Sequence, residues 1–315
     1  MILVNYSRLI TKPTSKIMLN CGTNVPPIIF FGTEAYSLIT LKALYEAGFA
    51  IRAVITKPDM RSGRGHKLTE PPVKTFARQH GILVWQPNKL RDIIPDITAL
   101  QPVAGVLVAY GKIIPQSIID LFTPGIINLH PSLLPKWRGP SPIEAAIAHQ
   151  DSETGISIMQ LDAQMDAGPI YIQHRHPLTG TETRPQLYDE LFAAGSALPV
   201  RTLPSILAGT LQPTPQNDAD ATYCQLLSKD MSLIDPTAMT AAAADAHVRA
   251  YLGFPRSRLR IHDRELIITK THVSDVPESP LSVKCCDGRY LTILELIAPG
   301  GKKMAAEAFL RGHQG

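Results

Sequence analysis

Asn128 and His130 stand two residues apart in the apolar run Ile126 to His130. Side chains two apart on a β-strand leave the same face, so an amide and an imidazole would converge on one reacting centre. That pair suits acyl transfer: the amide donates to a developing oxyanion, and the imidazole takes a proton from the attacking nucleophile. Spacing alone favours a plainer arrangement, with Asn128 making a strand-end turn and His130 satisfied in the core. A carboxylate beside an imidazole orients it and stabilises its protonated form. Two are candidates, Asp166 in the turn-like Met165-Asp166-Ala167-Gly168-Pro169 and Asp162 four residues earlier, and the sequence does not choose between them.

Other chemistries lack their residues. Phe31-Gly32-Thr33-Glu34 ends the first apolar run with one glycine, so the three-glycine dinucleotide fingerprint is missing, and no Walker A, H-E-x-x-H or G-x-S-x-G occurs. Nicotinamide and nucleotide enzymes are therefore disfavoured. Cys21, Cys224, Cys285 and Cys286 offer neither a C-x-x-C pair nor a disulfide framework, which fits a reducing compartment. His174, His176, His247 and His262 read as surface or strand positions, and no metal is expected.

The elements that must position Asn128 and His130 follow from periodicity. Short β-branched or aromatic runs alternate with amphipathic stretches: strands at Ile28 to Phe31, Ile51 to Thr56, Ile82 to Trp85, Val103 to Ala109 and Ile126 to His130, and helices at Glu34 to Ala47, Pro115 to Phe122 and Pro142 to His149. This is the pattern of an α/β domain with a Rossmann-like, mostly parallel sheet, in which ligands bind beyond the carboxyl ends of the strands. Gly155 to Leu161 and Tyr171 to Pro177 alternate polar and apolar residues as antiparallel edge strands, and Thr183 to Leu207 reads as one closing helix. Beyond the proline-bearing stretch around Leu211 to Thr222 come a helix, Thr237 to Tyr251, then short strands at Arg258 to His262, Glu265 to Lys270, Leu281 to Cys285 and Tyr290 to Leu296, and a helix, Met304 to Arg311. That second half has the signature of a small OB-like β-barrel.

The expected organisation is an N-terminal extension over 1–26, a catalytic domain over 27–210, a linker over 211–224 and a C-terminal domain over 225–315. Length agrees, since 315 residues make two domains of about 150 each. With 44% hydrophobic and 18% charged residues the chain is not disordered over most of its length. Its longest charge-free apolar stretch, Ile97 to Gly111, contains Gln101 and Pro102 and is too short to cross a bilayer. The net charge of +4 is mild but local: Lys57 to Lys74 holds five basic residues against two acidic, and Arg249 to Lys270 six against two. Either patch can face a polyanion. The first 33 residues lack Asp and Glu, which permits a mitochondrial transit peptide as the lesser alternative to a cytoplasmic protein with a variable tail.

Asn128, His130 with Ser132-Leu133-Leu134-Pro135, then Arg138-Gly139-Pro140-Ser141-Pro142-Ile143 and Asp166-Ala167-Gly168-Pro169-Ile170 together resemble the folate-dependent formyltransferases, and the likeness runs over about Ile28 to Gly312. It implies catalytic roles for Asn128 at the oxyanion, His130 in proton transfer and Asp166 as its partner. The donor it implies is 10-formyltetrahydrofolate, with Ser132, Leu133, Leu134, Pro135, Tyr110 and Gly111 at its site. The acceptor it implies is the α-amine of initiator methionyl-tRNA. The segment Lys57-Pro58-Asp59 followed by Gly63-Arg64-Gly65-His66-Lys67 is similar to a basic loop that enters the acceptor stem, which points to Arg61, Arg64 and Lys67 as tRNA contacts; the second domain is OB-like in the family. A monomer is expected. Two departures are Met60 and His66 in the basic loop and Gly253-Phe254-Pro255-Arg256-Ser257 in place of an aromatic-Pro-Gly turn. Arg256, Arg258 and Arg260 alternate nearby and would offer a second basic face. A formyltransferase for a small amine, such as a sugar nucleotide or glycinamide ribonucleotide, would share Asn128, His130 and Asp166 without needing either basic patch.

Overall fold

The computed structural model describes residues 26–62, 67–261 and 264–312, with the backbone alone at Ser62 and Lys67. Most of the expected N-terminal extension, and Arg64 of the basic loop, lie outside the described residues.

The first half comprises β1 (Ile28–Gly32), α1 (Ala35–Glu46), β2 (Ile51–Ile55), β3 (Met60–Ser62), β4 (Lys67–Thr69), α2 (Pro72–Gln79), β5 (Leu83–Trp85), α3 (Ile94–Ala99), β6 (Ala104–Val108), α4 (Gln116–Ile119), β7 (Gly125–His130), α5 (Pro142–Ala148), β8 (Glu153–Gln160), β9 (Ile170–Pro177), α6 (Arg184–Gly195) and α7 (Ala197–Leu207). Seven strands form one sheet in the order β5-β2-β1-β6-β7-β8-β9. The first five are parallel, and β8 and β9 close the edge antiparallel, as their alternation requires. β1 is buried throughout, which is why it reads as the unbroken apolar run Ile-Ile-Phe-Phe. One face of the sheet packs on α1, α2, α5, α6 and α7 through residues such as Leu41, Phe76, Ile143, Leu187 and Leu203. The other packs on α3 and α4 through Ile97, Ile118 and Ile119.

The closing helix is two helices rather than one. The Thr183–Gln186 capping box starts α6, and α7 begins directly after Ser196, where Pro199 in its first turn removes a backbone donor to the preceding turn.

The second half holds α8 (Ala241–Ala250), β10 (Ser257–Ile261), β11 (Arg264–Ser274), β12 (Ser282–Lys284), β13 (Tyr290–Ile297), β14 (Lys303–Ala305) and α9 (Ala306–Arg311). Its five strands make one antiparallel sheet around a separate core that includes Val248, Leu259, Leu291 and Phe309. This is the small antiparallel β domain that the strand spacing predicts. The end of α8 crosses to the first core, where Ala250 and Tyr251 are buried. Arg249 donates to the Glu182 carbonyl at 3.0 Å. Arg184 pairs with buried Glu144 at 2.6 Å, and Tyr188 Oη lies 3.2 Å from the same carboxylate.

Candidate active site

β7 carries Asn128 and His130 on the side of the sheet that holds Ile126, while Ile127 and Leu129 enter the opposite core. Each of the two polar residues is only 5% exposed. Pairing with β6 on one side and β8 on the other fixes their backbone. His130 Nε2 lies 3.0 Å from the Trp137 carbonyl oxygen. A carbonyl only accepts, so Nε2 carries the hydrogen and, in the neutral ring, Nδ1 is the free base.

Asp166 Oδ2 faces that nitrogen at 3.6 Å and accepts the Gly139 N–H at 2.9 Å. Asp162 is exposed and accepts the Gln164 N–H within its own turn at 2.9 Å. The structure thus brings Asp166 to His130 and leaves Asp162 out. Three non-glycine residues at this end have left-handed backbones: Ala109 after β6 (φ 45°), Trp137 (φ 60°) and Asp166 (φ 49°). Such conformations cost about 1–3 kcal/mol each and persist where the surroundings fix them.

For Trp137 and Asp166 the surroundings come largely from residues 214–225, the stretch between the two halves, whereas the Ala109 carbonyl is held by the Thr33 and Glu34 N–H groups. Thr214 exchanges two backbone hydrogen bonds of 2.8 Å with Ile170. The Thr222 hydroxyl accepts the Trp137 N–H at 2.9 Å. The Thr222 carbonyl accepts the Arg138 N–H at 2.9 Å, and its N–H donates to the Pro135 carbonyl at 3.2 Å. The Gln216 amide donates to the carbonyls of Asp166 at 2.8 Å and Gly168 at 2.7 Å. Its orientation is set by Arg138, only 2% exposed, whose Nε and Nη2 donate to Gln216 Oε1 at 3.0 and 2.9 Å. Nη2 also pairs with Asp218 at 2.7 Å. Cys224 packs on the same segment, where burial and the nearby Asp166 charge push its thiol up, so it stays neutral. Sequence reasoning missed Trp137, which acts through its backbone carbonyl and not its side chain, and Gln216 and Thr222, which bond backbone groups far away in the chain.

The expected donor-site residues divide. Leu133, Leu134 and Pro135 line a cavity of about 350 Å³ together with Trp137, Gln173 and Arg175. Asn128, His130 and Asp166 are not among its lining, so this cavity lies beside the reacting centre and not at it. Ser132 is fully buried and holds the loop shut, donating to the Lys136 carbonyl at 2.6 Å while its own carbonyl accepts from Ser157 Oγ at 2.7 Å. The Tyr110 ring is buried in the core edge-on to Phe31, and burial pushes its phenol up to about 12. Gly111 has φ 71°, and the Lys57 ammonium lies so close that a Cβ there would overlap it.

On the basic loop, Arg61 is exposed on the β3–β4 hairpin, and the Lys67 side chain, like Arg64, lies outside the described residues. Lys74 is already neutralised by Asp59 at 2.7 Å and Glu70 at 3.2 Å. Its hydrogen bond, with that of Gln86, holds the Asp59 carboxyl below the usual carboxylate range. In the second half, Arg258 and Arg260 leave the outer face of β10, and Arg258 pairs with Glu265 at 3.0 Å. Among the described residues no three His, Cys, Asp or Glu side chains gather as a metal site.

Comparison with known proteins gives this geometry a family. The methionyl-tRNA formyltransferase of Halorhodospira halophila is 37% identical over 300 residues, spanning 91% of this chain and 96% of the relative. That of Stutzerimonas stutzeri is 38% identical over 289 residues, 88% of this chain and 91% of the relative. Among solved structures, an N-formyltransferase from Helicobacter canadensis in complex with folinic acid and dTDP-3-aminofucose superposes with a TM-score of 0.66 at 18% identity, covering 86% of this chain and 99% of that one. HypX from Aquifex aeolicus in complex with tetrahydrofolic acid gives 0.59 at 14% identity, over 91% of this chain and 47% of that one. These two show the fold. The formyl transferase family model matches residues 27–203 and that of the formyl transferase C-terminal domain matches 226–314, and the chain belongs to the formyl transferase family.

Proposed function

We propose that this enzyme transfers the formyl group of 10-formyltetrahydrofolate to the α-amine of methionine on initiator tRNA, preparing the charged tRNA for translation initiation, as a cytoplasmic monomer. One observation carries the choice of acceptor: relatives named methionyl-tRNA formyltransferase match across both halves, second domain included, at 37–38% identity, whereas the structure bound to an amino-sugar nucleotide matches at 18%. The folate-bound neighbours support the donor class.

In this reading the neutral α-amine attacks the formyl carbon and a C–N bond forms. His130 Nδ1, the ring nitrogen left basic by the Trp137 carbonyl, takes the amine proton. Asp166 faces the resulting imidazolium and stabilises its charge. The buried Asn128 amide donates to the oxyanion of the tetrahedral intermediate. The bond to N10 of the folate then breaks, the leaving nitrogen takes the proton held on His130, and formyl-amide and tetrahydrofolate depart, leaving the ring neutral again. Gly111 and the backbone of Tyr110, together with the Leu133–Pro135 loop, form the donor side. Arg61, Arg64 and Lys67 take the phosphates of the acceptor stem.

The test is a single-turnover assay with 10-formyltetrahydrofolate and methionine-charged initiator tRNA, run beside free methionine, uncharged tRNA and a dTDP-amino sugar. Transfer to the charged tRNA alone is expected. Transfer to the amino sugar instead would move the enzyme to the small-amine branch of its family.

A further inference from the structure

The segment between the two halves is ordinarily a tether, yet here it is hydrogen-bonded to both partners of His130. On one side Thr222 Oγ1 accepts the Trp137 N–H at 2.9 Å, and the Thr222 backbone bonds Pro135 and Arg138 on either side of that residue. These bonds hold Trp137 in its left-handed conformation, φ 60°, and so aim the carbonyl that receives His130 Nε2–H. On the other side Gln216 donates to the carbonyls of Asp166 and Gly168, and this clamps the left-handed turn that presents Asp166 Oδ2 to His130 Nδ1. Arg138 joins the two arms, since its guanidinium holds Gln216 Oε1 while its own N–H is held by Thr222.

We propose that Thr222 and Gln216 are positioning residues of the formyl-transfer centre, Thr222 fixing the carbonyl that selects the Nε2–H tautomer of His130 and Gln216 fixing the turn that carries Asp166. The proposal rests on the assignment of His130 and Asp166 as catalytic groups. Its physical basis is the cost of misalignment: without the Thr222 hydroxyl the Trp137 N–H loses its partner, the strained residue relaxes, and the carbonyl turns from the ring. Nothing then prevents the ring hydrogen from moving to Nδ1, where it blocks the base. The same bonds tie the path into the second domain to the chemistry in the first.

The experiment compares the full-length parent with Thr222→Val, Thr222→Ser, Gln216→Ala and His130→Gln, reading both steady-state kinetics and the ¹⁵N spectrum of histidine-labelled protein. The signals absent from His130→Gln identify His130 among the ten histidines. The parent is expected to show His130 as the Nε2–H tautomer. Thr222→Val is expected to mix the tautomers and lower kcat by about ten- to a hundredfold with KM for the charged tRNA unchanged, and Thr222→Ser to restore both. Gln216→Ala is expected to lower kcat similarly while His130 keeps its tautomer. Parent-like His130 signals together with parent-like kcat in both Thr222→Val and Gln216→Ala would overturn the proposal. A fully active His130→Gln would instead remove the catalytic reading, and the ¹⁵N spectrum of Thr222→Val would still decide whether Thr222 fixes the ring.

Discussion

The His130 ring is held at one nitrogen and open at the other: Nε2 donates to the Trp137 carbonyl, while Nδ1 faces Asp166 at 3.6 Å, beyond hydrogen-bond reach. Replacing it should therefore remove the proposed proton transfer together with one buried hydrogen bond. His130→Ala is expected to lower kcat by about 10²–10⁴-fold with cooperative unfolding retained, checked by single-turnover rates beside a thermal melt. Asn128→Ala, which removes one oxyanion donor, is expected to lower kcat by about 10²–10³-fold at nearly constant KM. A different histidine reports on stability. His247 is half-buried in the second domain, its Nε2–H donating to the Met231 carbonyl at 2.9 Å, and partial burial holds its pKa below the ordinary value of 6.5. A depressed histidine means that the unfolded chain binds the proton first, so this contribution is complete above about pH 6.5 and is lost as pH falls toward the folded value. The parent's melting temperature should drop between pH 7 and 5, and His247→Asn should show a shallower drop from a lower starting point. At this scale the sequence was legible where a strand's two-residue period does the work, at Asn128 and His130. It was silent on Asp166 against Asp162, because a loop has no period and only its folded path shows which carboxylate returns to the ring.

The elements were legible for the same reason that Asn128 was. Apolar runs buried on both faces declare themselves as central strands; β8, read as an edge strand, is instead buried from Thr154 to Met159 between β7 and β9, and β9 alone forms that edge. The parts that escaped notice are short: α2 is eight residues long and only its start lay within a stretch read for its charge, and α3 is six residues long with proline in its first turn. The Arg138–Gly139 segment is sensitive to a small change. Gly139 has φ 122°, and a Cβ there would overlap the Cys224 carbonyl of the crossing segment. Gly139→Ala is therefore expected to destabilise by more than about 1 kcal/mol and to lower kcat as well, since the Gly139 N–H also holds Asp166. A melt and a kcat measurement on the same preparation check it, and an unchanged melting temperature would show that Cys224 yields freely.

The whole molecule must bring a long polyanion to a buried centre a few ångströms across. Basic groups stand on both halves, Arg61 exposed on the β3–β4 hairpin of the first and Arg260 on the outer face of β10 in the second, and the proposed reading gives Arg61 to the phosphates. The double variant Arg61→Ala with Arg64→Ala is expected to raise KM for charged tRNA, to reduce the slope of log(kcat/KM) against log salt by about 2, and to leave folate affinity unchanged. Equal slopes in parent and variant would show that these residues make no phosphate contact. The two-domain plan was readable from the change of pattern near residue 211, but the part played by the connection was not. A proline-bearing polar tract announces an extended chain, not the groups that chain will touch. The indole of Trp137 turns this architecture into an optical signal. It donates to Asp151 at 2.6 Å and lies 4.5 Å from the His149 ring, while its backbone touches both His130 and Thr222. The chain has only two tryptophans, and the other, Trp85, is in β5 at the sheet edge. In Trp85→Phe protein, tryptophan emission would come from Trp137 alone, and a change at the contact between its backbone and the domain connection could be followed in real time without any attached dye.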